Sequence, residues 1–370
     1  MTPLGVYVHV PYCAARCTYC DFNTYTFADG RSTFAATAAR EVTLAAPAGR
    51  PASTVFFGGG TPTLLPPADL ARILDAIRAE VGLRADAEIT VEANPDSVDA
   101  RSLEQLREAG FTRVSVGMQS AAPHVLRLLG RTHDGERAAD AAREARAAGF
   151  DHVSLDLIYG SPGERDDDWR ASVERALEAE PDHVSVYNLT VERGTRLHAQ
   201  VRAGEVPAPR EDALAERYAV ADALLAAAGL DWYEVASWAT GDEARCRHNE
   251  GYWSSADWLA IGPGAHGHLA GRRWWNVRHP NAWARRIEAG EQSSAEVETL
   301  TDEQRRLERI LLEVRRREGV DRGLAAPDAA EALLADGLLV RAGERLVLTL
   351  PGRQVADLVT RRLAGVGTRS

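Results

Sequence analysis

Short apolar stretches alternate with longer amphipathic segments over roughly the first 230 residues. The short stretches have the length and composition of β-strands, and apolar residues spaced by three and four between them predict helices. The predicted strands are Val6–Val10, Thr54–Phe57, Glu88–Glu92, Arg113–Val116, His152–Ile158 and His183–Tyr187. The predicted helices include Ala68–Val81, Ala100–Ala109 and Glu136–Ala148.

Strand and helix alternate six times in this pattern, which predicts a parallel sheet, because parallel strands need crossover connections and these are usually helical. The periodicity leaves two architectures open, a doubly wound open sheet and an incomplete barrel. In both, ligands bind at the carboxyl ends of the strands. Side chains that directly follow the predicted strands are therefore the first candidates for a functional site.

The alternation of apolar and amphipathic segments ends at about residue 230. Most of the tryptophans lie after this point, in the two segments WYEVASWA and GYWSSADWLAIGPGAHGHLAGRRWW. From about Thr301 the pattern predicts a polar helix, a second helix and a small hairpin, which is the outline of a winged-helix module. The Glu-rich helix argues against DNA binding. We expect a barrel or sheet domain at 1–235, an aromatic-rich region packing on it at 236–295 and a small C-terminal domain at 296–370.

The formal net charge is -11 and all 43 basic residues are arginine. A strongly acidic chain is poorly suited to bind nucleic-acid phosphates. The absence of lysine excludes a Schiff-base lysine and the Walker A phosphate loop. Because the sequence has neither a signal-peptide pattern nor an apolar run long enough to span a bilayer, we expect a cytoplasmic protein.

Three of the four cysteines, Cys13, Cys17 and Cys20, lie within VYVHVPYCAARCTYCDF, directly after the first predicted strand. A structural zinc site would need a fourth ligand, usually from a second cysteine pair, and there is no such pair. Cys246 and the nearby histidines His248, His266 and His268 could complete a zinc site only by a long-range coincidence. Buried structural thiols have no reason to cluster at this spacing. An iron–sulfur cluster with three thiolate ligands remains, and it leaves one iron open to a small molecule.

Other polar residues lie at or near the ends of the predicted strands. FFGGGTPTLL follows the second strand, Glu92 ends the third, Gln119 follows the fourth and Asp156 lies in the fifth. Burying such groups without partners is costly, so they predict a shared ligand site. Each alone can equally be a capped turn or a structural ion pair, and Arg131 in LGRTHD has the same ambiguity.

The CxxxCxxC spacing, with Tyr19 before the last cysteine and a strand before the first, resembles the signature of the radical S-adenosylmethionine (SAM) enzymes. The resemblance implies an incomplete (βα)6 barrel, a [4Fe–4S] cluster on Cys13, Cys17 and Cys20, and one or two SAM molecules. In the matching family group Tyr7 contacts the first SAM and Arg131 a second. The full set of SAM-binding residues implied is Tyr7, Tyr19, Phe22, Gly59, Gly60, Thr61, Glu92, Gln119, Arg131 and Asp156.

YVHVPYC, GGGTPT, VGMQS, GRTHD and DLIYGSPGE together resemble the oxygen-independent coproporphyrinogen III oxidase group, HemN and its relatives. The oxidase has CxxxCxxCxC and a long segment before its first cysteine, whereas this chain has Asp21 and Phe22 after the triplet and twelve residues before it. HNEGYW at 248–253 is similar to the HNxxYW motif of the related haem chaperones, HemW. The resemblance implies a haem chaperone, with the oxidase as the alternative.

A haem chaperone needs residues that hold haem, and the candidates here are His248, Asn249, Tyr252, Trp253 and Cys246. Neutral imidazole is a common axial ligand, and Tyr252 and Trp253 offer flat apolar surface. A helix start with a hydrogen-bonded histidine and two core aromatics is the alternative. His266 and His268 are weaker candidates. The implied partners are haem, a low-potential electron donor such as flavodoxin or ferredoxin, and a haem-accepting respiratory protein. The membrane is one location where this acceptor could be bound.

Overall fold

The computed structural model describes residues 3–27, 29–47 and 49–365, and its centre is a row of six parallel strands. They are hydrogen-bonded in chain order, each to the next. All six strand predictions are confirmed, and the structure lengthens each of them. The strands are β1 (Leu4–Val10), β2 (Ala52–Gly59), β3 (Leu83–Ala93), β4 (Arg113–Gln119), β5 (His152–Tyr159) and β6 (His183–Asn188).

Helices cross over between these strands and cover one face of the sheet. The three predicted helices are confirmed to within one residue at each end. Local signals set the boundaries: Asp99 and Ser102 form a capping box, and Gly110 ends the same helix in the left-handed conformation. The helices are α1 (Phe34–Ala45), α2 (Pro67–Glu80), α3 (Ala100–Ala109), α4 (Pro123–Leu129), α5 (Gly135–Ala147), α6 (Asp166–Leu177), α7 (Arg196–Arg202) and α8 (Glu211–Ala227).

The parallel strands alternate strictly between two environments. In β4, for example, Val114 and Val116 belong to the hydrophobic core, while Arg113 and Ser115 line the interior cavity. Because successive side chains of a strand point to opposite faces, this alternation gives the barrel an apolar outer face under the helices and a polar inner face. The inner face is where the site lies.

Further strands extend the sheet at both ends, so the parallel core is not closed on itself. A strand from the aromatic-rich region pairs parallel with β1, and three more follow it in antiparallel order. Two short strands add antiparallel to β6. The added elements are β7 (Asp231–Glu234), β8 (Ser237–Ala239), α9 (Arg247–Trp253), β9 (Asp257–Ile261), β10 (His266–Leu269), β11 (Arg272–Asn276), α10 (Pro280–Glu288) and β12 (Ser294–Thr299).

The C-terminal segment forms a small α+β unit of the winged-helix type, with its own hydrophobic core that includes Ile310, Leu333 and Leu346. Its three strands are antiparallel, and the last of them along the chain lies in the middle of the sheet. Within the described residues, no helix is both long enough and apolar enough to cross a membrane. The elements are α11 (Asp302–Glu313), β13 (Val320–Asp321), α12 (Pro327–Ala335), β14 (Leu339–Ala342), β15 (Arg345–Leu348), α13 (Leu350–Gln354) and α14 (Ala356–Leu363).

One buried carboxyl group, that of Glu41 on α1, ties the added strands to the barrel. Its two oxygens accept hydrogen bonds from the backbone N–H of Gly262 (2.6 Å), the amide of Asn276 (3.0 Å), the indole of Trp283 (2.9 Å) and the hydroxyl of Ser293. Burial raises the pKa of Glu41 to about 7, against the effect of these donors. The four donors come from four separate parts of the aromatic-rich region.

Candidate cluster and ligand site

The three cysteines of the triplet lie on the loop that follows β1 directly, at the carboxyl end of the sheet. All three are partly buried free thiols. Burial raises the pKa of Cys13 and of Cys20 above the usual value for a thiol. Neutral thiols become strong ligands only when a metal displaces the proton, so iron binding would convert these two thiols to thiolates.

Hydrogen bonds to distant elements fix the conformation of this cysteine loop. The N–H of Cys13 donates to the carbonyl of Tyr25 (3.0 Å). Thr18 donates its N–H to the carbonyl of Leu129 (3.1 Å) and its hydroxyl to that of Leu128 (2.8 Å), at the end of α4. The loop is therefore anchored on both sides of its middle cysteine, and Thr18 is an anchoring residue that the sequence analysis did not identify.

The cysteine sulfurs are spread over the loop and do not meet at one point. In the part of the chain that the structure describes, no three His, Cys, Asp or Glu side chains are grouped so as to hold a single metal ion. A cubane cluster places each thiolate on a different iron, so it requires three separated sulfurs around one cavity wall. Three thiols on one loop that line the same cavity are a donor set that fits such a cluster.

The glycine-rich loop after β2 packs directly against the cysteine loop. Gly59 has a φ of 111°, and a Cβ on it would lie 2.6 Å from the ring of His9. A Cβ on Gly60 would lie 2.5 Å from the carbonyl oxygen of Tyr12. Only glycine fits at either position. The next residue, Thr61, then points its hydroxyl at Cys13 Sγ (4.0 Å).

A cavity of about 730 Å³ opens above the cysteine loop, and we call it the cluster cavity. Its size is that of a cofactor site. With the exception of Tyr7, every residue predicted for the cluster or for SAM lines it, which the sequence spacing alone could not guarantee. These residues are Cys13, Cys17, Tyr19, Cys20, Phe22, Gly59, Gly60, Thr61, Glu92, Gln119, Arg131 and Asp156.

Two carboxyl groups face this cavity from β3 and β5, the strands on either side of β4. Burial and the nearby Asp156 raise the pKa of Glu92 to about 7, and its Oε2 accepts the N–H of Gly59 (3.1 Å). Burial also raises the pKa of Asp156, which accepts a hydrogen bond from Ser115 (3.0 Å). Carboxyl groups with such shifts are typical of ligand and catalytic sites.

Arg131 brings a positive charge to the same cavity. Its Nη2 donates to the carbonyl of Gly117 (2.7 Å), and its Nη1 lies 3.6 Å from Cys17 Sγ. Its Nε is buried and has no hydrogen-bond partner among the described residues. A buried N–H without a partner is costly, so this group is left for an acceptor on a ligand.

A second cavity of about 860 Å³ adjoins the first, and we call it the aromatic cavity. The side chains of Tyr252, Trp258 and Trp275 form part of its wall, and Tyr7 lies here rather than in the cluster cavity. Phe22 lines both cavities and is 61% exposed. The residues shared by the two cavities are Asp21, Phe22, Gly59, Glu92, Ser115, Asp156 and Tyr187.

The floor of the aromatic cavity is polar, and the sequence analysis missed it. Arg113 is buried there, with its Nη1 donating to the carbonyl of Ala244 (2.8 Å) and its Nη2 left without a partner among the described residues. The sequence does contain a pattern that predicts these residues. Polar residues stand two apart on the face that carries Asp156 in the strands RVSVGMQ, HVSLDLIY and HVSVYN. The missed inward residues are Arg113, Ser115, Ser154, His183 and Ser185.

The structure separates the residues predicted for haem into two groups. Cys246, Asn249 and Tyr252 line the aromatic cavity, whereas His248 and Trp253 do not. Cys246 is buried near Glu88 (3.9 Å from Sγ to Oε1), and burial keeps its pKa far above the usual range of a thiol. It is a neutral thiol in this environment.

His248 is held inside the protein by both of its ring nitrogens. Nδ1 is hydrogen-bonded to the hydroxyl of Thr54 (2.8 Å) and Nε2 to that of Tyr252 (2.8 Å), and the ring stacks on Phe56. Burial lowers its pKa to about 3. The histidine therefore positions Tyr252 on the cavity wall, and its imidazole has no nitrogen free for a metal.

Comparison with known proteins agrees with this geometry. The radical SAM superfamily matches residues 7–176. The haem chaperone HemW of Mycobacterium tuberculosis is 50% identical over 98% of this chain and 95% of its own length. HemW of Escherichia coli is 36% identical over 76% of each chain.

The chain belongs to the HemW family of radical SAM proteins.

The chain shares its fold with a solved structure, that of coproporphyrinogen III oxidase (HemN) from Escherichia coli. That structure has a TM-score of 0.85, covers 98% of this chain and 90% of its own, and is 22% identical in sequence. The predicted architecture, an incomplete radical SAM barrel with a small C-terminal unit, is thus confirmed. Membership of the radical SAM superfamily implies a [4Fe–4S] cluster and SAM, and the cysteine loop with Arg131 fits both.

Proposed function

We propose that this protein is a haem chaperone, which binds a [4Fe–4S] cluster, SAM and haem and delivers haem to a respiratory haem protein. The observation that carries this proposal is the 50% identity to the mycobacterial haem chaperone over 98% of the chain. The aligned region spans the residues that line both cavities and the whole aromatic-rich region, and is not limited to the barrel. A low-potential electron donor of the flavodoxin or ferredoxin type would supply electrons to the cluster.

In this proposal Cys13, Cys17 and Cys20 each bind one iron through sulfur. A cluster held in this way would supply one iron without a protein ligand, to which the amino and carboxylate groups of SAM could bind. Glu92 offers a carboxylate to the cationic end of SAM, and the unpaired Nε of Arg131 offers a donor to an oxygen. The remaining residues implied for SAM, including Tyr7, Gln119 and Asp156, shape the walls.

Haem occupies the aromatic cavity in the same proposal. A porphyrin is a flat apolar ring with two anionic propionates, so it requires apolar walls and cationic groups at their margin. The cavity volume of about 860 Å³ is sufficient for a ligand of cofactor size. Tyr252 and Asn249 contribute to the wall through α9, the helix that carries the HNEGYW segment.

Phe22 argues for a chaperone rather than an oxidase. It stands where the resemblance placed a further cysteine in the oxidase, and its exposed ring lies between the two cavities. A phenyl ring in this place is an apolar wall and supplies neither a ligand nor a redox-active thiol. The likeness to the oxidase structure concerns the fold.

A direct comparison of the two activities tests this proposal. We expect the anaerobically reconstituted protein to bind ferric haem stoichiometrically and to lose it to an apo-form of a haem acceptor, followed by absorption spectroscopy. The same preparation, incubated with coproporphyrinogen III, SAM and a low-potential reductant, is expected to form no protoporphyrinogen. Stoichiometric protoporphyrinogen, or failure to bind haem, would overturn the chaperone proposal.

Affinity for SAM is expected to increase with pH because of Glu92. Since the raised pKa of Glu92 is about 7, this carboxyl is protonated below neutrality and anionic above it. An anionic partner favours the cationic ligand, so binding should strengthen by about tenfold between about pH 6 and about pH 8. Calorimetric titration of SAM into the reconstituted protein measures the effect.

The matched control is Glu92→Gln, which keeps the size of the side chain and remains neutral at every pH. The amino group of SAM titrates in both proteins, so the difference between their two pH profiles isolates the contribution of Glu92. Parallel profiles in the two proteins would show that Glu92 does not contact the charged end of SAM.

A further inference from the structure

Resting on the proposed function, we infer that His266 is the residue that ligates haem iron in the aromatic cavity. This assignment moves the ligand away from His248, the histidine of the HNEGYW segment, to the first residue of β10. Three observations lead to it: the state of the other histidines, the free imidazole of His266, and the chemistry of the surrounding wall.

Of the histidines that line the aromatic cavity, His9 and His183 have no free ring nitrogen. Each ring is fixed by two hydrogen bonds of 2.7 to 3.0 Å. Burial lowers the pKa of both histidines, so neither ring takes up a proton near neutral pH. Their hydrogen bonds therefore stay as they are, and no ring nitrogen becomes free for a metal. The hydrogen-bond partners are Tyr7 and the carbonyl of Asn23 for His9, and Ser154 and Tyr233 for His183.

His266 differs from these histidines in that its ring is exposed and lines the cavity. Among the described residues, neither of its ring nitrogens takes part in a hydrogen bond. The ring stacks on Trp275, its cross-strand neighbour, with centroids 5.9 Å apart and planes at 25°. This stacking orients the imidazole and leaves both nitrogens available.

The protonation state of the His266 imidazole also favours the binding of iron. Partial burial, together with Arg278 and Arg273, lowers the pKa of His266 below the ordinary value. The neutral imidazole, which is the form that binds metals, therefore predominates at neutral pH. The carbonyl of His266 accepts the indole N–H of Trp258 (2.7 Å), which holds the backbone of the residue in place.

The wall around His266 has the chemistry that a porphyrin requires. Trp258, Trp275 and Tyr252 give flat apolar surface within the same cavity. Arg278 lines the cavity beside them and makes no ion pair with any described residue, although its Nε lies 3.5 Å from Asn23 Oδ1. An exposed guanidinium without a carboxylate partner is well suited to bind a propionate.

The floor of the cavity supplies a second cation, because Arg113 carries an unpaired, fully buried Nη2. Glu88 lies 4.0 Å from the same guanidinium, so its charge is only partly offset. Together, the structure gives the cavity one free imidazole, aromatic walls and two guanidinium groups with spare donors. No other histidine on the wall of the aromatic cavity combines these features within the described residues.

A test compares ferric haem binding by the reconstituted wild-type protein, His266→Ala, His248→Ala and His198→Ala. His198 is a matched control: it lies on α7, outside both cavities, and its ring makes no hydrogen bond within the described chain. Electron paramagnetic resonance identifies an imidazole-ligated ferric haem without interference from the absorbance of the cluster. Excess free imidazole is then added to each variant.

We expect His266→Ala to bind haem at least about tenfold more weakly and to lose the imidazole-ligated signal, and free imidazole to restore it. His198→Ala should resemble the wild type, and His248→Ala should keep the imidazole-ligated signal. His266→Tyr serves as a second variant, because it should replace the signal with that of a phenolate-ligated haem even if the alanine variant is unstable. An unchanged signal in His266→Ala, or its loss in His248→Ala alone, would overturn the assignment.

These outcomes separate the ligand assignment from the proposed function. If the wild-type protein binds no haem, the proposed function fails. If the wild type binds haem and His266→Ala binds it with an unchanged spectrum, only the ligand assignment fails.

Discussion

Simultaneous replacement of Cys13, Cys17 and Cys20 by serine is expected to abolish the iron–sulfur cluster. Serine keeps the size of the side chain but cannot supply the thiolate that iron binds. The three sulfurs lie outside the hydrophobic core clusters, so the fold should survive. Iron and sulfide analysis after anaerobic reconstitution should fall to background, and the broad visible absorbance should disappear, while the far-ultraviolet circular dichroism is unchanged.

Cys246→Ser is the matched control for the loss of a thiol. Cys246 is buried near Glu88 and lies outside the cluster cavity, so this variant should keep its full complement of iron and sulfide. A triple variant that remains brown, or a Cys246→Ser variant that becomes colourless, would contradict the assignment of the cluster to the cysteine loop.

Glu41→Ala is expected to cause a large loss of stability although Glu41 lies outside the ligand site. The substitution leaves up to four donors, including those of Trp283 and Asn276, without their acceptor. Each buried group left unsatisfied costs roughly 1–3 kcal/mol, so the free energy of unfolding should fall by about 3 kcal/mol or more. Urea unfolding followed by tryptophan fluorescence measures it.

The contribution of Glu41 to the free energy of unfolding should decrease as the pH rises. The pKa of Glu41 in the folded protein, about 7, lies above its value of 4.5 in the unfolded chain. The stability linked to this proton is therefore fully present below about pH 4.5 and is lost as the pH rises through about 7. Relative to wild type, Glu41→Gln should be penalised more at acidic than at alkaline pH, because glutamine cannot take part in this titration.

The control for Glu41 is Glu80→Ala at the end of α2, an exposed position where the same substitution should change stability by less than about 0.5 kcal/mol. If Glu41→Ala unfolded at the same urea concentration as Glu80→Ala, the carboxyl group would not hold the aromatic-rich region to the barrel.

The parallel core of the fold was predictable because its signals are local. Each strand is a short apolar stretch, each helix has its own period and caps, and six repeats of the unit leave few architectures. The edges of the sheet were not predictable in this way. The pairing of β9 with β1 joins residues such as Tyr7 and Ala260, and nothing in either segment specifies the other.

The candidate site was likewise predictable only where its residues form contiguous motifs. The cysteine loop and the glycine-rich loop are contiguous motifs, and the structure places both at the cluster cavity. The role of His248 depended on partners far away in the chain, because Thr54 occupies one of its nitrogens. Sequence alone showed a histidine beside two aromatics, and only the packing of α9 against β2 distinguishes a fixed imidazole from a free one.

The shared wall of the two cavities has a thermodynamic consequence. Phe22, Glu92 and Asp156 border both spaces, so a ligand that reorients any of them in one cavity changes the binding free energy in the other. Such coupling is reciprocal: the factor by which SAM changes the dissociation constant of haem equals the factor by which haem changes that of SAM. Under the proposed function, this coupling would let the protein hold or release haem according to whether SAM is bound.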